Sequence, residues 1–389
     1  MKKKRPYLGF SITIIIALTV YFGLTLLPTL DFNIFPYEVV SQLAPDYAWY
    51  RFIWYVQDFT NAQFYSSVLA SLGLVIGAFV GYVLDQRNNP YSGFTITYIR
   101  GLFPWILAAQ LLGLLVSNLY TPLLSQWDMG WVPTFIPFVS VPVIVIFVYG
   151  PSLKTVLTGS ILSGLISTPI GSFIIKYILD PLGLPAVSAN VFTMTLIGII
   201  VLEVCRMVPW IDNPNIDFYL EPTEKYKTPQ KDVDTDHPLW FIRRVLADFT
   251  EAQFYGNEWA SGMMLLGAVL HFILDRNGIY YGNDFIPLLL SASIVGSSVG
   301  IFIYHDSWKT GFVGTFTPIV TIIPGIILLV NGHIWYTYGS AVLGGIMAPA
   351  LANGINRHIP KGWHPMIGNT LSMSICTAII AMMILALPI

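Results

Sequence analysis

The chain has 389 residues, of which 55% are hydrophobic and only 10% are charged, and its formal net charge is −2. Soluble domains carry about 25% charged residues, so the composition, with a mean hydropathy of +0.67, excludes an ordinary soluble protein and predicts an all-α polytopic membrane protein. A net charge this close to zero gives no indication of nucleic-acid binding, and we expect no nucleic-acid partner. Cys205 and Cys376 lie within apolar runs, which predicts buried thiols rather than a disulfide or a metal site.

The first 57 residues precede the repeated part of the chain. The basic sequence MKKKR at residues 1–5 leads into an apolar run from about Leu8 to Leu27. The run is long and no small-residue cleavage site follows it, so we predict a retained transmembrane helix rather than a signal peptide. Residues 31–57 then carry prolines and acidic residues, followed by an aromatic stretch from Trp49 to Tyr55. Because Trp and Tyr favour the membrane interface, we expect this segment to lie along the membrane surface.

Residues 58–85 are repeated as residues 248–275 at a constant offset of 190, and 13 of the 28 positions are identical. Each copy opens with Asp-Phe-Thr-x-Ala-Gln-Phe-Tyr, at 58–65 and at 248–255, which we call the box. The leading Asp58 and Asp248 are typical helix caps. Further matches downstream predict two copies of one unit, residues 58–210 and 248–389, joined by a polar linker over 211–247.

Each copy contains five apolar segments of the length that crosses about 30 Å of hydrocarbon as a helix. The first copy has them at about 66–84, 101–119, 133–149, 153–178 and 189–208, and the second at about 258–274, 285–304, 313–331, 335–355 and 366–387. With the leading helix, the prediction is about eleven transmembrane helices.

An odd number of spans per copy means that corresponding helices cross the membrane in opposite directions, so we predict inverted repeats. The basic residues support this topology. With the N-terminus in the cytoplasm, sixteen of the nineteen Lys and Arg residues fall on the cytoplasmic side, and only Arg51, Lys176 and Arg276 do not. The same topology places the linker in the cytoplasm and the C-terminus outside a bacterial inner membrane.

Inverted repeats are typical of secondary transporters, whose substrate sites lie where Gly- or Pro-interrupted spans meet near the bilayer midplane. The third and fourth spans of both copies are interrupted in this way. A proline inside a helix frees a backbone carbonyl, and hydroxyl residues stand beside these breaks. The substrate-binding candidates in the fourth spans are Ser160, Gly164, Thr168, Pro169, Ser340, Gly344, Pro349 and Asn353. The alternative is that these small residues only let helices pack closely.

Two further substrate-binding candidates, Asn190 and Asn369, begin the fifth span of each copy. An amide is costly in lipid unless it has a partner. Both residues therefore predict either a ligand contact or a helix cap or interhelical hydrogen bond.

Two titratable residues, Glu203 and His271, have no titratable residue at the aligned position of the other copy, and a third, Asp275, lies close to His271 in the sequence. Glu203 lies late in a span, and His271 lies four residues before Asp275 on one helix face. Titratable groups in or near hydrocarbon are candidates for proton coupling. The alternatives are an interfacial Glu203–Arg206 salt bridge and an interhelical histidine.

These observations predict a secondary-active transporter for a small neutral or amphipathic solute in the bilayer, without a cofactor and with a possible homo-oligomeric state. A passive channel and a membrane subunit of a larger complex remain as alternatives. The sequence contains no phosphate-binding lysine loop, GxSxG or HExxH motif, so we expect no enzymatic activity.

Overall fold

The structure is a computed structural model that describes residues 6–125, 131–212, 214, 223–228 and 234–387. The basic residues 1–5 and much of the predicted linker lie outside the described residues. Sixteen α-helices occur in the described part of the chain: α1 Tyr7–Thr25, α2 Tyr37–Leu43, α3 Ala48–Gln57, α4 Val68–Gln86, α5 Phe103–Asn118, α6 Thr121–Ser125, α7 Val141–Tyr149, α8 Leu153–Ile174, α9 Ala186–Met207, α10 Pro238–Asp248, α11 Glu258–Leu274, α12 Ile286–Ile303, α13 His305–Trp308, α14 Ile323–Leu329, α15 Ile334–Asn356 and α16 Met366–Leu385.

The predicted all-α class is confirmed, because the described residues form helices and no strands. Seven helices are long and apolar enough to cross a membrane: Tyr7–Thr25, Val68–Gln86, Phe103–Leu123, Leu153–Leu182, Ala186–Met207, Ile286–Ile303 and Met366–Leu385. Large apolar side chains cover the outside of such helices; on α1, for example, Leu8, Ile15 and Phe22 are about 60% exposed. The fold is therefore compatible with a multi-pass membrane protein.

The remaining predicted spans coincide with helices of other kinds. Three apolar helices are shorter, namely Ile136–Tyr149, Glu258–Leu274 and Pro318–Leu329, and α15 is not among the seven although it has 23 residues. Ile136–Tyr149 coincides with the predicted third span of the first copy, and Pro318–Leu329 with that of the second copy. At 1.5 Å per residue, Pro318–Leu329 reaches only about 18 Å. Both third spans are thus short helices buried inside the bundle, and all nine residues of α7 are buried.

Helices α4 and α11, which follow the two boxes, cross each other closely. Three glycines make the contact, and a Cβ on any of them would lie 2.1–2.2 Å from a backbone oxygen of the other helix: Gly73 at Met263, Gly77 at Trp259, and Gly267 at Leu69. Residue numbers rise along one helix as they fall along the other, so the two helices are antiparallel. Glycines permit such close approach because no side chain separates the backbones.

A short helix leads into each box. Helix α3 continues directly into a 3-10 helix at Asp58–Gln63, all of whose residues are buried. Helix α10 ends at Asp248 and is followed by a buried 3-10 turn at Glu251–Gln253. The second half of α3 is therefore buried, at Ile53, Trp54, Val56 and Gln57, whereas the sequence predicted a segment that lies along the membrane surface. Most of α10 falls within residues 211–247, the segment interpreted as linker.

Candidate functional site

The two boxes meet at the centre of the molecule through a reciprocal pair of glutamines. Gln63 donates from Nε2 to Gln253 Oε1 at 2.7 Å and to the Phe249 carbonyl at 2.8 Å. Gln253 donates from Nε2 to Gln63 Oε1 at 2.9 Å and to the Phe59 carbonyl at 3.1 Å. Residues at the same position in the two boxes thus exchange the same kinds of hydrogen bond.

The aspartates of the boxes do not cap the following helices, which corrects the cap prediction. Ser67 is the N-cap of α4 and accepts from Ala70 N, and Asn257 is the N-cap of α11. Several residues separate Asp58 and Asp248 from those helix starts, because the chain first turns at a residue in the left-handed conformation, Phe64 or Phe254 in the respective box. Both carboxylates instead lie buried among other side chains.

A cavity of about 60 Å³ lies beside the paired boxes, between the third and fifth segments of both copies. By the usual requirement of about 15 Å³ for each water, it has room for a few water molecules. Its wall is mostly apolar and aromatic, including Phe135, Phe254, Phe312, Phe316, Met194 and Met373. Its polar atoms come from Tyr98, Asn190, Glu251, His364, Asn369 and Thr370.

A much larger vestibule, of about 710 Å³, adjoins this cavity on one side. The two spaces share three lining residues, Phe135, Val187 and Asn190. The outer wall of the vestibule includes Glu38, Ser41 and Gln42 of α2. A wide mouth on one side therefore narrows to a small central cavity at Asn190.

Both asparagines predicted as ligand contacts line the central cavity. Asn190 is 2% exposed, and its Oδ1 has no hydrogen-bond partner within the described structure. Asn369 is half-buried, and its Oδ1 accepts from Asn356 Nδ2 at 3.2 Å. Helices α9 and α16, which carry them, start at this cavity, with Val187 and Met366 in its wall. The first turns of both helices, and one flank of each, therefore line this space.

Sequence reasoning missed a charged group in the cavity wall. Glu251 in the second box accepts short hydrogen bonds from the Tyr98 hydroxyl and from the guanidinium of Arg244, which also contacts Asp248 Oδ1 at 3.1 Å. The signal was present in the aligned copies, where Asn61 and Trp54 stand in the positions of Glu251 and Arg244. An ion pair gained by one copy alone marks a place where the two copies differ in charge.

His364 is a second missed residue, placed between α15 and α16. Its ring stacks on Phe147 with a centroid distance of 5.1 Å, and its Nδ1 accepts from Met366 N at 3.1 Å. The second contact satisfies one of the free N–H groups in the first turn of α16. Burial lowers the pKa of His364 to about 3, so the imidazole is neutral and its Nδ1 remains an acceptor.

The candidates in the fourth segments do not line the cavity or the vestibule; they pack between helices. In α8, Ser160 donates to the Ala109 carbonyl at 2.8 Å, Thr168 lies 2.5 Å from Ser117 Oγ, and a Cβ on Gly164 would lie 2.6 Å from the Gly113 oxygen. In α15, Ser340 donates to the Tyr336 carbonyl at 2.7 Å. Pro169 and Pro349 lie inside these helices, Gly344 faces Ile322, and Asn353 is half-buried near the end of α15.

The three coupling candidates also lie away from the cavity. Glu203 pairs with Arg206 at 3.1 Å and accepts from Trp363 Nε1 at 2.7 Å. His271 is fully buried, with Nδ1 2.6 Å from Ser67 Oγ, and Asp275 accepts from Ile34 N at 3.1 Å. These contacts are those of the interfacial salt bridge and the interhelical histidine considered as alternatives. A role in coupling stays a prediction.

No protein-family model matches the chain, and neither the curated proteins nor the solved structures contain a match.

Proposed function

We propose that the protein is a secondary-active transporter that moves a small amphipathic solute across a bacterial inner membrane by alternating access. The observation that carries the proposal is Asn190, a buried amide whose Oδ1 is unpartnered at the point where the vestibule meets the central cavity. A buried polar atom without a partner costs about 1–3 kcal/mol. A water molecule in the cavity, or the hydrogen-bonding group of a solute that replaces it, would remove that cost.

The shape of the two spaces favours a carrier over a passive channel. The vestibule is wide, whereas the central cavity has room for only a few waters and is narrowed by phenylalanines. A carrier is accessible from one side at a time, whereas an open pore is continuous. In the proposed cycle the solute enters through the vestibule, and rearrangement of the helices around the paired boxes opens the cavity to the other side.

The proposed topology has about eleven crossings and inverted copies, with the N-terminus and linker in the cytoplasm and the C-terminus outside. The antiparallel crossing of α4 and α11 supports inversion, because these are corresponding helices of the two copies. The short third segments support it as well, since paired discontinuous helices around a central site are typical of such transporters.

The wall of the cavity favours a solute with one polar end. Two amides, Asn190 and Asn369, offer both donors and acceptors, and the donors suit an electron-rich group such as a carbonyl or carboxylate. The aromatic and methionine side chains suit an apolar remainder. The negative charge of Glu251 is already engaged by Arg244.

A ligand-stabilisation screen of the purified protein with amides, polyols and zwitterionic amino acids would identify a solute, and counterflow in proteoliposomes would then test transport. Exchange stimulated by solute on the far side indicates a carrier, whereas rapid passive flux without such stimulation indicates a channel. Asn190→Leu should weaken solute binding about tenfold, the equivalent of 1.4 kcal/mol. Asn353→Leu, outside the cavity, is the matched control. Equal loss in both variants would contradict the site.

A further inference from the structure

The two boxes place a buried aspartate at the same position and surround it differently. Asp58 and Asp248 are both fully buried. At the constant offset of 190, Trp54 aligns with Arg244 and Asn61 with Glu251. The copies therefore offer an internal comparison of one carboxylate in two electrostatic settings.

Asp248 in the second copy has a cation. Arg244 contacts its Oδ1 at 3.1 Å, and Ser297 Oγ donates to its Oδ2 at 2.6 Å. The same guanidinium binds Glu251. The one guanidinium is shared between two buried carboxylates, and its charge favours their ionised forms.

Asp58 in the first copy has only neutral partners. Thr134 Oγ1 donates to Oδ2 at 2.6 Å, Asn118 Nδ2 to Oδ2 at 3.2 Å, and Asn61 Nδ2 to Oδ1 at 3.0 Å. Within the described parts of the chain no Lys, Arg or His forms an ion pair with Asp58. The position of Arg244 is taken by Trp54, whose Nε1 donates to Thr134 Oγ1 at 2.7 Å. An isolated buried charge is costly and favours neutralisation.

An acceptor for a proton on Asp58 is already at hand. Thr134 Oγ1 lies 2.6 Å from Asp58 Oδ2, and a hydroxyl group can act as donor or acceptor. It donates to the ionised carboxylate and can accept from the protonated one. Asn118 keeps its amide orientation, because its Nδ2 also donates to the Leu114 carbonyl at 3.1 Å. The site can therefore satisfy either state of the carboxyl group.

The vestibule gives this aspartate a route to water. Tyr281 lines the vestibule, and its hydroxyl donates a short hydrogen bond to Asn61 Oδ1. Asn61 in turn donates to Asp58. The side chains of Tyr281 and Asn61 therefore stand between the vestibule and Asp58.

The other titratable groups near Asp58 are the phenols of Tyr37, Tyr55 and Tyr281, from α2, α3 and the turn after α11. All three are neutral at ordinary pH, since a phenol ionises only near pH 10. None of them supplies the missing positive charge.

We propose that Asp58 is a proton-binding site of the first copy, at the position where its counterpart Asp248 has the positive charge of Arg244 beside it. The proton comes from hydronium in the vestibule water: one O–H bond of hydronium breaks, one O–H bond forms at Asp58 Oδ2, and a neutral water molecule remains in the vestibule. The three donors around the carboxylate disfavour a metal cation at the same place, because a cation needs acceptor oxygens. The inference concerns protonation alone and does not depend on the proposed transport.

The test is an infrared pH titration of the full-length protein in lipid, which follows the carbonyl stretch of protonated carboxylic acids. The wild type should show such a band near neutral pH that shifts when isotope-labelled aspartate is incorporated and disappears at alkaline pH. Asp58→Asn should abolish the band. The matched variant Asp248→Asn should retain it.

Other outcomes would overturn the proposal. Absence of an aspartate band from the wild type, which needs no variant to fold, would mean that Asp58 stays ionised. A band that survives Asp58→Asn belongs to another carboxyl group. Stabilisation by sodium ions in the wild type but not in Asp58→Asn, without the band, would indicate a metal cation instead. Failure of counterflow would count against transport and leave the proton site standing.

Discussion

The crossing of α4 and α11 leads to a sharp prediction about stability. A Cβ added at Gly267 would lie 2.2 Å from the Leu69 oxygen and 2.6 Å from its carbonyl carbon, both backbone atoms that cannot turn away. Ordinary contact needs 3.4–4 Å, so Gly267→Ala must push the two helices apart. Overpacking of this kind costs about 1–3 kcal/mol. Alanine also stabilises a helix by about 0.5–1 kcal/mol relative to glycine, which offsets part of the loss.

Gly262 in the same helix provides the matched control, because nothing lies within 4 Å of a Cβ there. Gly262→Ala gains the same helix propensity without the clash. The free energies of unfolding of the two variants should therefore differ by about 1–3 kcal/mol, seen as a lower melting temperature of Gly267→Ala in detergent. Gly77→Ala, whose Cβ would lie 2.2 Å from the Trp259 oxygen, should behave like Gly267→Ala. Equal melting of Gly267→Ala and Gly262→Ala would refute the close crossing.

Three further predictions concern topology, pH and packing. In a background without the two native cysteines, Asn88→Cys should react in whole cells only with permeant thiol reagents and Asn277→Cys also with impermeant ones; labelling of both from one side would contradict inversion. Burial lowers the pKa of His364 to about 3 in the folded protein, from about 6.5 in the unfolded chain. Between these two pH values the unfolded state binds more protons. The free energy of unfolding should therefore fall by up to about 1.4 kcal/mol per pH unit as the pH drops below about 6.5. His364→Asn should flatten this pH dependence of melting, and an unchanged slope would remove His364 as its cause. Gly164→Leu should melt earlier than Gly339→Leu, which has open space around it, while binding of solute by the folded fraction persists; loss of binding without loss of stability would place Gly164 in the site.

The internal repeat needed no structure to be recognised, and neither did the helical class. A chain with 55% hydrophobic and 10% charged residues can bury its backbone polar groups in lipid as helices. The predicted spans coincide with helices for the same reason, since apolar length is a local property. Asn190 and Asn369, which line the cavity, were already candidates from the sequence, because a polar amide stands out within an apolar run.

Only the tertiary structure decided which polar residues share a space. Ser160 and Thr168 resemble Asn190 in sequence, yet their hydroxyls are satisfied by α5 while the Asn190 oxygen has no partner. That difference depends on which helix lies opposite, and span lengths and periodicity do not encode it. The pairing of Gln63 with Gln253 across 190 residues is of the same kind. Local chemistry determines where helices form, whereas long-range packing determines which buried polar atoms find a hydrogen-bond partner in the protein.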